Sequence, residues 1–175
     1  GSFQNNGIVN VNQGNVPNLP TWSFVGPSLM NTSSGTISNT AGAWVNVSGS
    51  FTNAGTVIVR PTVNFPSFNF SGSVNQTNGG MVLYNGALVR ATSNSAPNFS
   101  GGFLSGNGTV QANNFWFGGL ASLRPGFSPG QINFDGDLTW GDGGAIEFDL
   151  GMDALNSDFI SITGNLLKEG TGTYA

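Results

Sequence analysis

Cysteine and histidine are both absent from the 175 residues. Their absence excludes a disulfide framework, thiolate or imidazole metal sites, Cys or Ser–His nucleophile systems and any His-based general acid or base. Charge is scarce too: acidic and basic residues together make up 7% of the chain, against about 25% in an ordinary soluble domain. With four basic residues and a net charge of −4, the chain lacks the basic footprint that nucleic acid requires. No stretch approaches the roughly 18 apolar residues of a membrane helix. The opening Gly1-Ser2-Phe3 has neither the basic nor the apolar region of an export signal, so any such signal is expected to be absent or already removed. Helical periodicity is almost missing.

What is present is glycine (28 residues), asparagine (23) and a large aromatic complement of 14 Phe and 4 Trp. At 38% hydrophobic the chain can bury a core, which argues against the disorder that a Gly- and Asn-rich composition otherwise suggests. Apolar residues alternate over short runs: Val45-x-Val47, Val57-x-Val59, Phe68-x-Phe70, Ile132-x-Phe134, Ile146-x-Phe148 and Ile160-x-Ile162. Period two puts each pair on one face of a strand, and Gly, Asn or Pro closes each run. Few charges, abundant small polar residues and no Cys fit an exported bacterial surface protein.

The strands belong to a repeat of the form apolar-x-apolar-x-Gly-x-apolar. It reads Val45 to Phe51 around Gly49, Phe68 to Val74 around Gly72, Ile132 to Leu138 around Gly136, and Ile160 to Leu166 around Gly164. Looser copies lie at Phe99-Ser-Gly-Gly-Phe103 and Phe115-Trp-Phe-Gly-Gly-Leu120. Gly-led strands follow most copies, starting at Gly55, Gly80, Gly108, Gly144 and Gly172. A recurrence of roughly 20 to 30 residues with unequal insertions is the mark of stacked coils. One coil cannot bury its inner face alone, whereas coils stacked about 4.8 Å apart pair every strand with the next and align like side chains. A β-sandwich shares the short strands and frequent turns but not the repeat. The expected fold is all-β, a parallel β-helix (β-solenoid) with Gly and Asn at its corners. Residues 1–30, with Val16-Pro-Asn-Leu-Pro20 and Trp22-Ser-Phe24, do not fit the unit and are expected to form a cap or arm over coils spanning 31–175. The chain stops at Gly172-Thr-Tyr-Ala175 inside what reads as another strand, so the next coil is expected from further chain or another subunit. Charge is segregated: residues 1–134 carry Arg60, Arg90 and Arg124 and no acid, while 135–175 hold all eight acids and Lys168.

From Leu123 to Gly164 the chain resembles a known pattern. Leu123-Arg-Pro-Gly-Phe-Ser-Pro-Gly-Gln-Ile132 leads into Phe134-Asp-Gly-Asp-Leu138, Ile146-Glu-Phe-Asp-Leu-Gly151 and Asp158-Phe-Ile-Ser-Ile-Thr-Gly164. This order is similar to the closing β-helical repeats of bacterial autotransporter-type passenger domains and of exosortase-sorted (PEP-CTERM) exported proteins. The resemblance covers about a quarter of the chain. It implies a right-handed parallel β-helix, export, and a surface, matrix or adhesive role. The chain ends before any transmembrane barrel or sorting tail of those families.

Three kinds of site residue follow from the sequence. Phe115-Trp116-Phe117 must turn at least one large ring outward, which marks these three as a candidate contact surface; Trp44 and Trp140 are further aromatics that either stack on sugars or fill the core. Asp135 and Asp137 flank Gly136 at period two and Asp142 follows, an arrangement open to a weak Ca²⁺ site as well as to an ordinary turn. Glu147 and Asp149 alternate with apolar residues and are expected to share one solvated face rather than to oppose each other across a bond, as a glycosidase pair must. Arg60 and Arg90 close strands with no acid nearby in sequence. No catalytic residue, metal ligand or cofactor is assigned. The expected function is a non-enzymatic extracellular structural protein that builds or decorates a bacterial fibre, matrix or cell surface, self-associating end to end. A glycan-binding adhesin using exposed aromatics is the alternative, and a polysaccharide-active enzyme comes third.

Overall fold

The computed structural model describes residues 1–12, 21–40, 42–61, 67–92, 96–126 and 129–171. Every strand pairing in it is parallel, and each joins residues one coil apart in sequence rather than chain neighbours. The short alternating runs make this possible. Each buries its apolar face inward, and Gly, Asn or Pro then turns the chain so that the next run lies on another side.

Three ladders result. The first joins β1 (Phe3–Asn5), β4 (Ser28–Asn31), β7 (Ser50–Asn53), β10 (Val74–Gln76) and the start of β12 (Asn98–Pro125). The second joins β2 (Ile8–Val11), β5 (Thr36–Asn39), β8 (Thr56–Val59), the first half of β11 (Gly80–Ala91) and a middle stretch of β12. The third joins β3 (Thr21–Phe24), β6 (Trp44–Val47), β9 (Phe68–Phe70), the second half of β11, β12, β13 (Gln131–Trp140) and β15 (Phe159–Ile162). Near the end, β14 (Ala145–Ile146) pairs with β12, and β16 (Leu166–Lys168) with β13. One 3-10 turn, Ala154–Asn156, is capped by the Asp153 carboxylate, which accepts from the Leu155 and Asn156 N–H groups. The expected parallel β-solenoid is the fold.

Register places like on like. Leu29, Phe51 and Val74 stack in the first ladder, and Ile37, Val57, Met81 and Leu104 in the second. Val45, Phe68, Val89, Val110 and Phe134 stack in the third. All are buried. Toward the C-terminal coils the core becomes aromatic, with the Phe115 ring 4.7 Å from Phe99 and 5.1 Å from Phe134, centroid to centroid. Burying each such ring is worth about 1.5–3 kcal/mol.

Asparagine supplies a second interior column. Asn5, Asn31, Asn53 and Gln76 occupy one register position of the first ladder. Asn5 Nδ2 donates to Asn31 Oδ1 (2.8 Å), Asn31 Nδ2 to Asn53 Oδ1 (2.7 Å) and Asn53 Nδ2 to Gln76 Oε1 (2.8 Å). Asn53 is fully buried, so the column satisfies polar groups that would otherwise be costly to bury. Further along, the same position holds Phe99.

Two expectations about organisation change. Residues 1–30 contain no separate cap among the described residues: β1, β2, β3 and β4 pair in register with later strands as ordinary coils. The unit is hidden there because single residues break the apolar alternation, as with polar Asn5 and Asn31 at inward positions. The Val16–Pro20 segment, the Phe127-Ser128 step and the strand expected at Gly172 lie outside the described residues. Secondly, the looser repeat copies turn a different corner from the regular ones. Gly49, Gly72, Gly136 and Gly164 stack between the third and first ladders, whereas Gly102 and Gly119 lie in the line of Gly55 and Gly79, between the first and second. The strand led by Gly108 belongs to the third ladder, opposite Ile132, not to the second.

Candidate functional site

Alternation along β12 divides the Phe115-Trp116-Phe117 triplet. Phe115 and Phe117 point inward and are buried, Phe117 stacking on Trp140 at 5.6 Å. They are core residues, and the contact surface expected of the three contracts to Trp116. Its backbone N–H donates to Pro97 O (2.9 Å), which sets Trp116 over Asn98; Thr139 lies opposite it on the other side and Leu167 one coil further.

Trp116 is half-buried, and what lies beneath it is specific. A Cβ added at Gly118 would meet the indole at 2.7 Å, and one added at Gly141 would meet it at 2.6 Å. The Nε1–Cη2 side of the ring therefore lies over a bed that only glycine leaves room for. Its Nε1–H donates to Glu169 Oε2 (2.5 Å), fixing the rotation of the ring. Around it an open hollow is lined by Asn98, Asn114, Gly141, Asp142, Glu169 and Gly170. Asn114 Oδ1 accepts from Thr139 Oγ1 (2.9 Å), and Asp142 Oδ2 from the Thr171 N–H (3.2 Å).

The other aromatics do not extend this surface into a stripe. Trp140 occupies an inward position, donating from Nε1 to Gly144 O (2.8 Å), and Trp44 stands on the third ladder opposite Thr21. Asp135 and Asp137, expected to point the same way, are separated by the corner at Gly136, whose φ is +135°. Asp135 is opposite Gln111 in the third ladder and Asp137 opposite Asn114 in the first. Each carboxylate is engaged: Asp135 accepts from Gln111 Nε2 (2.7 Å) and Thr163 Oγ1 (3.2 Å), Asp137 from the backbone N–H (2.7 Å) and Nδ2 (3.1 Å) of Asn165. Among the described residues no group of three acidic side chains is placed to share a cation. The two carboxylates stand on different walls and each is held by protein donors, so the geometry does not bring them together as a Ca²⁺ cradle.

Arg90 donates through Nε to Gln111 Oε1 (2.6 Å), making an outward row Arg90–Gln111–Asp135–Thr163 along the third ladder. Arg60 donates to Asn39 O (3.0 Å) and lies over the Tyr84 ring at 4.9 Å. Glu147 is exposed and pairs with Arg124 at 3.0 Å, one coil back. Asp149 is exposed as well, so the two acids sit on solvated surface as expected. Asp158 was not singled out by sequence, yet it is the most enclosed acid described: its carboxylate accepts from the N–H groups of Gly130 (2.9 Å) and Asp149 (2.8 Å), tying the last coils together. The surroundings of Trp116 were missed as well. Asn114 is two residues away on the same strand, but Asn98, Asp142 and Glu169 are far from it in sequence, and only alignment by coil brings them beside it.

Comparison with protein-family models, with curated proteins and with solved structures finds no significant match to this chain.

Proposed function

We propose that this β-solenoid is a non-enzymatic structural protein of the bacterial exterior, building or decorating a fibre, matrix or cell surface by stacking end to end. The observation that carries the reading is the repetitive wall: coil after coil joins the next in register through parallel ladders and lays its apolar side chains on the same columns. Such a wall accepts a further coil wherever its edge is open, whether from more of the same chain or from a second copy, and the first-ladder column reaches that edge at Phe3 (42% exposed) and Leu166 (57%). The backbone groups at the edge are turned the same way. Leu138 N–H donates to Asn165 O and Glu169 N–H to Trp140 O. In a parallel ladder that pattern turns the N–H and C=O of Leu166 away from β13, along the axis. Gln4 is turned the same way at the opposite end, where the Thr32 N–H takes Asn5 O. An open edge of this kind is a template for another strand. A second copy in the same sense places Phe3 in the column that Leu166 ends, extending both hydrogen-bonded wall and core. The bacterial exterior is supported by the scarcity of charge, the lack of Cys and the resemblance of residues 123–164 to exported β-helical proteins.

Electron microscopy and light scattering across a concentration series test this. The protein is expected to form unbranched filaments one solenoid wide. Leu166→Pro and Gln4→Pro, each removing one edge donor and leaving the inner ladders intact, are expected to give short discrete rods with unchanged circular dichroism. Discrete rods from the unaltered protein at all concentrations, or filaments undiminished in both variants, would overturn the proposal.

A further inference from the structure

We propose that the Trp116 hollow is a binding site for neutral hexopyranose units of a polysaccharide. The Gly118–Gly141 bed runs along the Nε1–Cη2 side of the indole and Glu169 holds its N–H, so the half-exposed ring keeps one orientation in the hollow. A fixed aromatic ring is matched by the C–H face of a pyranose. The rim of Asn98, Asn114, Asp142 and Glu169 supplies amide and carboxylate groups beside it for sugar hydroxyls. An apolar protein partner fits less well, because polar groups interrupt any contiguous apolar patch within reach of the ring. The two carboxylates in the rim repel uronic acids and sulfated sugars. The outward positions next to Trp116 on one side of the same ladder are Asn98 and, beyond it, Asn75. On the other side Thr139 is buried, its Oγ1 donating to Asn114 Oδ1. A glycan chain laid along the solenoid axis thus meets hydrogen-bonding side chains on the Asn98 side of the stacking ring. This site lies on the wall of the solenoid rather than its ends and does not depend on assembly.

Affinity electrophoresis and calorimetry with cellohexaose, chitohexaose and laminarin, against polygalacturonate as the acidic comparison, test the assignment. At least one neutral glycan is expected to bind at micromolar to millimolar concentration. Trp116→Ala is expected to weaken it at least tenfold, Trp116→Phe to weaken it less, and Arg124→Ala to leave it unchanged. The same series in the Gln4→Pro background separates binding from filament formation. Failure of all three neutral glycans to bind, stronger binding of polygalacturonate, or affinity unaltered by Trp116→Ala would overturn it. Intact cooperative unfolding of Trp116→Phe assigns any loss to the site rather than to the fold.

Discussion

Asn53 shows what one side chain does in this molecule. Its amide accepts from Asn31 Nδ2 (2.7 Å) and the Gly55 N–H (3.2 Å), and donates to Gln76 Oε1 (2.8 Å) and Gly55 O (3.1 Å). Every hydrogen-bonding capacity of the amide is used, out of reach of water. Asn53→Ala removes these bonds and strands partners on two coils, so it is expected to cost about 3 kcal/mol, from roughly 1–3 kcal/mol per buried group left unpaired. The outward Asn75→Ala should stay within about 0.5 kcal/mol. Chemical denaturation of the two variants checks the contrast, and equal effects would show that the column carries no special weight. The sequence reading places asparagine at the corners, and the column on inward strand positions is not legible there, because an inward Asn and an outward Asn look alike until the register is known. Trp116 is the complementary case. Period two required that the triplet turn a ring outward, and which ring it is follows only once Phe115 and Phe117 are seen to continue the inward column.

At the scale of strands and corners, Gly136 is the most demanding position. Its φ of +135° is open to glycine alone at low cost, and an added Cβ would lie 1.7 Å from Ala112 O of the coil below. Gly136→Ala must therefore push two coils apart, and a loss of more than about 2 kcal/mol is expected, as for other strained backbone substitutions. Gly7, with nothing within 4 Å of an added Cβ, should accept Ala nearly without effect. Thermal melts of both proteins check this, and a mild Gly136→Ala would contradict the close approach. The regular copies around Gly49, Gly72, Gly136 and Gly164 were readable in the chain because strand, corner and strand follow at fixed offsets. From Asn98 to Pro125 the strands run into one another as β12, bending without a clean break. There the corner signal is blurred, and a glycine pair such as Gly101-Gly102 aligns equally well with either corner. At β1 to β4 the missing signal is apolar alternation itself, which Asn5 and Asn31 interrupt.

For the molecule as a whole, contacts join neighbours along the axis and little else, so stability is close to a sum of coil and interface terms. The end coils have one neighbour and the central ones two. Native-state hydrogen exchange is accordingly expected to be fastest in β1, β2, β15 and β16 and slowest in β8, β11 and the first half of β12. Uniform protection along the chain would show a single cooperative block instead. In the filaments of the proposed assembly the fast class should become protected, a readout independent of microscopy. The surface charge adds little to this ledger: the Arg124–Glu147 pair is about half exposed on both sides, and such pairs contribute between roughly 0 and 1 kcal/mol. Segregation of the acids beyond residue 134 distinguishes the last coils electrostatically from the rest without holding the coils together.

The amide relay has a further consequence, for the order in which the rod can be built. Each amide hands a hydrogen forward, from Asn5 to Asn31 to Asn53 to Gln76, so each of the first three coils leaves a donor waiting for the next one, and the relay ends at Gln76, which donates to Asn78 O. A turn laid down one residue out of step would set Thr52 or Ala54 in the place of Asn53, or Asn75 or Thr77 in that of Gln76, and turn the column amide itself to the outer face. The column thus works as a proofreading pin, admitting a new turn only in frame and giving propagation a preferred heading along the axis.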